Sequence, residues 1–101
     1  MNLLEMPTID NMVKEQTKEI TTDMKLHNNG WTGPVRTQGR KGLTSCKVIT
    51  YKKNDLQVEL AFVFDEENVK INTYIFFSKN NRGVSYEDMQ LFMIKIEEEL
   101  K

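Results

Sequence analysis

Hydrophobic and polar positions alternate through residues 43–77, and apolar residues recur at helical spacing on either side of that stretch. Residues 56–64, LQVELAFVF, and 69–77, VKINTYIFF, flank the charged turn Asp65-Glu66-Glu67-Asn68. Their two-residue period predicts a long antiparallel hairpin. Residues 43–53 read as a further strand, joined to the hairpin by the turn Asn54-Asp55. We pair Lys53 with Leu56 across that turn and Phe64 with Val69 across the next. Ile49, Tyr51, Leu56, Val58, Leu60, Phe62, Phe64, Val69, Ile71, Ile75 and Phe77 then share one face, the expected core. The other face carries Cys46, Val48, Thr50, Gln57, Glu59, Ala61, Val63, Lys70, Asn72, Tyr74 and Phe76. It is mixed rather than polar.

Upstream, Ile9, Met12, Val13, Gln16, Ile20 and Met24 follow Thr8, an N-cap type, and predict a helix over residues 8–26. The β-branched pair Thr21-Thr22 weakens its second half. His27-Asn28-Asn29-Gly30 reads as the stop, with Asn or Gly left-handed after the last turn. Residues 29–42, NGWTGPVRTQGRKG, read as a loop. Within it, Val35-Arg36-Thr37 is a short strand that Pro34 confines to a sheet edge. Downstream, Ser85-Tyr86-Glu87-Asp88 has the form of a capping box, with Asp in place of the usual Glu or Gln. Met89, Phe92, Met93, Ile96 and Leu100 form a helical stripe, broadened by Leu91 and Ile94. Glu97-Glu98-Glu99 opposes the helix dipole, so a solvated, frayed end is expected. The expectation is one α+β domain over residues 1–101, in the order α-β-β-β(-β)-α. Its sheet is an antiparallel meander, with the N- and C-terminal helices packed on one face.

Composition supports a globular reading: 101 residues, 39% hydrophobic and 29% charged. No apolar run reaches the length of a membrane span, and the start MNLLEMP lacks the basic and apolar regions of a signal peptide. Cys46 is the single cysteine and has no intramolecular partner, so a reduced, cytoplasmic setting is expected. Abundant lysine and asparagine suggest an AT-rich coding source, such as a low-GC bacterium or its phage. The net charge of −1 hides an asymmetry. Lys25, Arg36, Arg40, Lys41, Lys47, Lys52 and Lys53 fall between Met24 and Asn54, a span without Asp or Glu. The rest of the chain is therefore strongly acidic.

Residues able to do chemistry do not assemble into a catalytic motif. Cys46 and His27 are single ligands of their types, too few for a zinc site. The carboxylate pairs fall in a hairpin turn, a helix start and a helix end. Gly39-Arg40-Lys41-Gly42 lacks the spacing of a phosphate-binding loop. No enzyme, cofactor or metal is expected. Trp31, Arg36, Arg40, Lys41 and Lys47 are residue types that stack on bases and hold phosphates, and they define a nucleic-acid alternative. The element order is similar to that of the double-stranded-RNA-binding domain. That family has a lysine-rich start to its second helix, where this chain reads Val84-Ser85-Tyr86-Glu87-Asp88. The acidic pI of about 5.8 also runs against the alternative. The leading expectation is a small non-catalytic regulatory protein of phage or mobile-element type. It would bind a protein partner, or a second copy of itself as a dimer, through Val48, Ala61, Val63, Tyr74 and Phe76. No membrane is expected to be involved.

Overall fold

The computed structural model describes residues 19–101. Among them run α1 (Thr22–Asn28), β1 (Thr32–Lys41), β2 (Thr44–Lys53), β3 (Leu56–Phe64), β4 (Lys70–Phe77) and α2 (Tyr86–Glu99). The strands form one open antiparallel sheet in the order β1-β2-β3-β4. The fold is α+β, a four-stranded meander flanked in sequence by two helices. Leu26 of α1 and Leu91, Phe92 and Ile96 of α2 form one buried cluster with Ile49, Tyr51, Val58, Leu60 and Phe62. Both helices therefore lie on the same face of the sheet.

Most of the predicted first helix, residues 8–18, lies outside the described residues. Its remainder is corrected. Glu19 and Ile20 are not helical, and α1 starts only after Thr21. Thr21 is extended (φ −71°, ψ 161°), and its hydroxyl accepts the Met24 N–H at 3.2 Å. The threonine pair that weakens a long helix thus begins a short one. Thr22 and Leu26, four residues apart, face inward, while Ile20 and Met24 are exposed. At the other end Gly30 is left-handed (φ +95°). Its N–H donates to His27 O and that of Trp31 to Leu26 O, both at 3.0 Å. This 6→1, 5→2 pair is a Schellman stop, and it turns Trp31 back onto Leu26 in the core.

The stretch read as a loop is mostly strand. β1 pairs with β2 continuously from Val35 to Lys41, with an irregularity between Thr32 and Val35 where the cis Gly33-Pro34 bond lies. The glycines and Pro34 obscure the strand, and from Arg36 to Lys41 its residues are all exposed, as is Val35 before them. A long β2 supplies partners for Thr32 and for every residue from Val35 to Lys41. Gly33 (φ +117°) has a specific reason to be glycine: a Cβ there would stand 2.6 Å from Thr50 O. Leu43, expected in β2, sits instead in the turn after Gly42 and is exposed.

The β2–β3 register is the expected one, with Lys53 opposite Leu56, Tyr51 opposite Val58 and Ile49 opposite Leu60. The β3–β4 register is displaced by two residues, so that Val58 meets Phe77 and Leu60 meets Ile75. The turn is longer than DEEN alone. Asp65 accepts the N–H groups of Glu67 and Val69 on Oδ1 at 2.9 Å each, and Asn68 is left-handed (φ 64°). A shift of two preserves the faces, so Ile75 and Phe77 still point to the helices. Val69 and Ile71 are carried past the covered region and are 53% and 54% exposed. In α2 the buried positions are Asp88, Leu91, Phe92, Lys95 and Ile96. Met93, Ile94 and Leu100, expected in the stripe, are exposed. Two charged residues occupy the inner face in their stead.

An aromatic trio closes the core. Phe92 meets Trp31 edge to face at 5.0 Å and Tyr51 at 5.4 Å. Trp31 Nε1 donates to Asp88 Oδ2 at 3.0 Å, and Asn29 Nδ2 donates to Oδ1 at 2.8 Å. Asp88 is 2% exposed and depends on these donors. Trp31→Phe keeps a ring but removes the N–H from a buried carboxylate. It should lower stability by about 1–3 kcal/mol in urea denaturation followed by circular dichroism.

Candidate interaction face

The sheet face turned away from the helices is organised in three complete rows. Val35, Thr50, Glu59 and Phe76 lie side by side across the four strands. Thr37, Val48, Ala61 and Tyr74 form the middle row, and Gly39, Cys46, Val63 and Asn72 the third. Of these twelve positions only Glu59 carries a charge. Its carboxylate accepts from Gln57 Nε2 at 2.7 Å. Tyr74 and Phe76, two apart on β4, project from the same face and stack with centroids 5.7 Å apart and planes 23° from parallel. They are 43% and 52% exposed. The Tyr74 hydroxyl accepts from Asn72 Nδ2 at 2.6 Å.

Val48, Ala61, Val63, Tyr74 and Phe76 are thus contiguous. Val48, Ala61 and Tyr74 are direct neighbours in one row, with Phe76 and Val63 in the rows on either side. The sequence reading omitted Val35, Thr37 and Gly39, which extend the face onto β1. Their spacing of two was the available signal, hidden by the reading of residues 29–42 as loop. Cys46 is half-buried in the third row. His27 is far from it in role: Nε2 lies 2.6 Å from Gly33 O and ties the end of α1 to β1. The two do not form a nucleophile–base pair. No group of three or more metal-ligating side chains occurs among the described residues. No described helix is long and apolar enough to cross a membrane.

The residues of the nucleic-acid alternative are not gathered into one surface. Trp31 is 1% exposed, with its ring against Phe92 and Lys53 Nζ 5.8 Å from its centroid, so it has no face free for a base. Arg36 and Lys47 point to the helix side and are neutralised there. Arg36 donates to both oxygens of Glu99, at 2.7 and 2.9 Å, and Lys47 donates at 2.7 Å. Arg40 and Lys41 are exposed at the end of β1 and form no ion pair among the described residues.

The acidic end of α2 is correspondingly not a simple solvated run. Glu99 holds Arg36 and Lys47 from the sheet and Lys95 at 3.4 Å from its own helix. Lys95 is buried and also reaches Asp23 at 3.1 Å, while Asp23 accepts the Tyr51 hydroxyl at 2.7 Å. Glu98 takes the Thr22 hydroxyl. The network joins α1, β1, β2 and α2. Burial and the bond to Asp23 push the Tyr51 phenol well above its usual range.

The chain matches no family model, no curated protein and no solved structure.

Hydrogen bonds from Arg36, then from Lys47, bring the Glu99 carboxyl down from 4.5 to about 2. The folded state binds this proton less readily than the unfolded chain. The resulting stability is complete above pH about 5 and is lost as pH falls toward 2. Arg36 is 42% exposed, so solvent screening reduces the contribution to roughly 1–2 kcal/mol. Glu99→Gln should lose that amount at neutral pH. It should also flatten the fall in stability between pH 5 and 2, measured by urea denaturation at each pH.

Proposed function

We propose that the protein is a non-catalytic binding protein that engages a protein partner through the uncovered face of its sheet. The observation that carries this reading is the charge depletion of a continuous twelve-position face, with the stacked Tyr74–Phe76 pair projecting from it. A sheet face meant only for water alternates charged and polar groups along each strand. Here the charges of β2 and β3 lie largely at the strand ends or on the helix side. The middle of this face is threonine, valine, cysteine and Ala61, which its neighbours cover, with the two aromatics at its β4 margin. Loss of charge at the centre and enrichment in aromatics mark interface cores, whereas overall hydrophobicity does not. Tyrosine is also among the residues that most often anchor binding energy. The role we assign is regulatory, of the kind small phage and mobile-element proteins perform by occupying a site on a larger protein.

The test is an affinity capture from the source organism's lysate with the wild-type protein and a Tyr74→Ala/Phe76→Ala variant side by side. A nuclease-treated sample is run in parallel. Both side chains are about half exposed, so the variant should fold, with circular dichroism unchanged and stability lowered by no more than about 1–2 kcal/mol. Proteins retained by wild type, lost by the variant and insensitive to nuclease are the expected outcome. Identical capture by both forms removes the face from consideration, and capture abolished by nuclease redirects the function to nucleic acid.

A further inference from the structure

The two edges of the sheet are built differently. β1 carries several features that oppose pairing with another strand: Pro34, which has no N–H, a break in register between Thr32 and Val35, and the charged Arg36, Arg40 and Lys41. β4 carries fewer: an irregularity where Lys70 meets Phe64 at its start, and none from Asn72 to Phe77. Its sequence, KINTYIFF, has no proline or glycine, and its one charge is at the first position. Isoleucine, threonine and aromatic residues, the types that favour strands, make up most of the rest. Among the described residues no strand pairs with its outer side. The direction of its amides follows from the end of the hairpin. Ser78 N–H donates inward to Gln57 O at 3.0 Å. The register runs unbroken from Phe77 back to Asn72, so the N–H groups of Phe76 and Tyr74 also point to β3. Those of Thr73 and Ile75 point outward.

We infer that β4 pairs antiparallel with β4 of a second copy, giving one eight-stranded sheet about a two-fold axis. An antiparallel edge is self-complementary under such an axis. Centred on Tyr74, the pairing sets Asn72 against the second copy's Phe76 and Thr73 against its Ile75. Lys70 then meets Ser78, so no like charges face each other. The dimer also resolves a mismatch in the monomer. A stable interface engages about 20–30 residues a side, and the monomer's uncovered face has twelve positions. Joining two copies makes a single face of twice that number. Binding anchors cluster near the middle of an interface. Tyr74 and Phe76 are at the margin of one sheet but at the centre of the joined one. The doubling matters only if the face is an interface, as proposed above; the unguarded edge does not depend on that reading.

Sedimentation over a range of concentrations, with hydrogen exchange read at single amides, tests the pairing on the full chain. A monomer–dimer equilibrium is expected, with protection of the Thr73 and Ile75 amides rising in step with the dimer. Those of Tyr74 and Phe76 should stay protected throughout. Thr73→Pro removes an outward N–H from each copy, and the Thr73 hydroxyl it replaces has no hydrogen-bond partner. It should weaken dimerisation at least about tenfold. The exchange measurement on the wild type decides the matter even if that variant fails to fold. A monomer at every concentration overturns the inference. So does a dimer whose Thr73 and Ile75 amides remain open, which would mean contact through the sheet face. Concentration-independent protection in a monomer overturns it too, because another part of the chain would cover the edge. A monomer that still captures a partner lost by Tyr74→Ala/Phe76→Ala would leave the binding face standing without the dimer.

Discussion

Burial of Trp31 is the interaction on which the arrangement of elements depends. The Schellman stop of α1 turns the chain so that Trp31 folds back beside Leu26, and the next residue begins β1. The ring meets Phe92 of α2, which in turn meets Tyr51 of β2. The indole N–H reaches Asp88 in the first turn of α2. One side chain therefore fixes the end of the first helix, the entry to the edge strand and the height of the second helix above the sheet. Helices of seven and fourteen residues have too little intrinsic stability to persist alone. They are held by this contact and by the apolar face beneath them.

The charges are distributed to serve the same packing. Lysine and aspartate are rarely buried unless paired, yet Lys95 and Asp88 both face the core. Each is accommodated because several elements contribute partners at once. Asp88 takes donors from the turn after α1, and Lys95 lies between carboxylates of α1 and α2. Glu99 gathers cations from β1 and β2 at the far end of the same helix. The basic span between Met24 and Asn54 and the acidic tail of α2 are thus partly two sides of one internal contact. Arg36, Lys47 and Lys53 are turned toward carboxylates of α2, which accounts for three of the seven basic residues in that span.

The period of two along β2 and β3 made the two faces legible, and the Asn54-Asp55 turn set their register. The β3–β4 register was not legible because the length of its turn depends on Asp65. Asp65 caps two backbone amides in a turn one residue longer than DEEN, and an irregularity between Val63 and Phe64 supplies the second step. Face identity survived that error because the shift was even. β1 was misread because glycine and proline carry meaning only with a neighbour: Gly33 is required by Thr50 O, which no local pattern reveals. Trp31 and Glu99 follow the same logic. Their partners lie 57 and up to 63 positions away, so local composition left a nucleic-acid alternative open for Trp31 and gave Glu99 to solvent.

Apolar side chains are exposed at several places among the described residues, Ile20, Leu43, Val69 and Tyr86 among them, but at one place two surfaces come together. The helix side buries Asp88 and Lys95, and the β1 edge combines a proline, a break in register and several cations. Among the described residues no element covers the opposite sheet face or pairs with the outer side of β4, and the two meet at Tyr74 and Phe76. A half-solvated antiparallel sheet is common, and single exposed apolar residues are ordinary. Two unguarded surfaces sharing one stacked aromatic pair are harder to attribute to the needs of the fold. Neither Tyr74 nor Phe76 contributes to the buried cluster beneath the helices. Polar residues at both positions would keep the strand, its register and the core intact. Folding alone therefore gives no reason for that pair; the association proposed above would supply one.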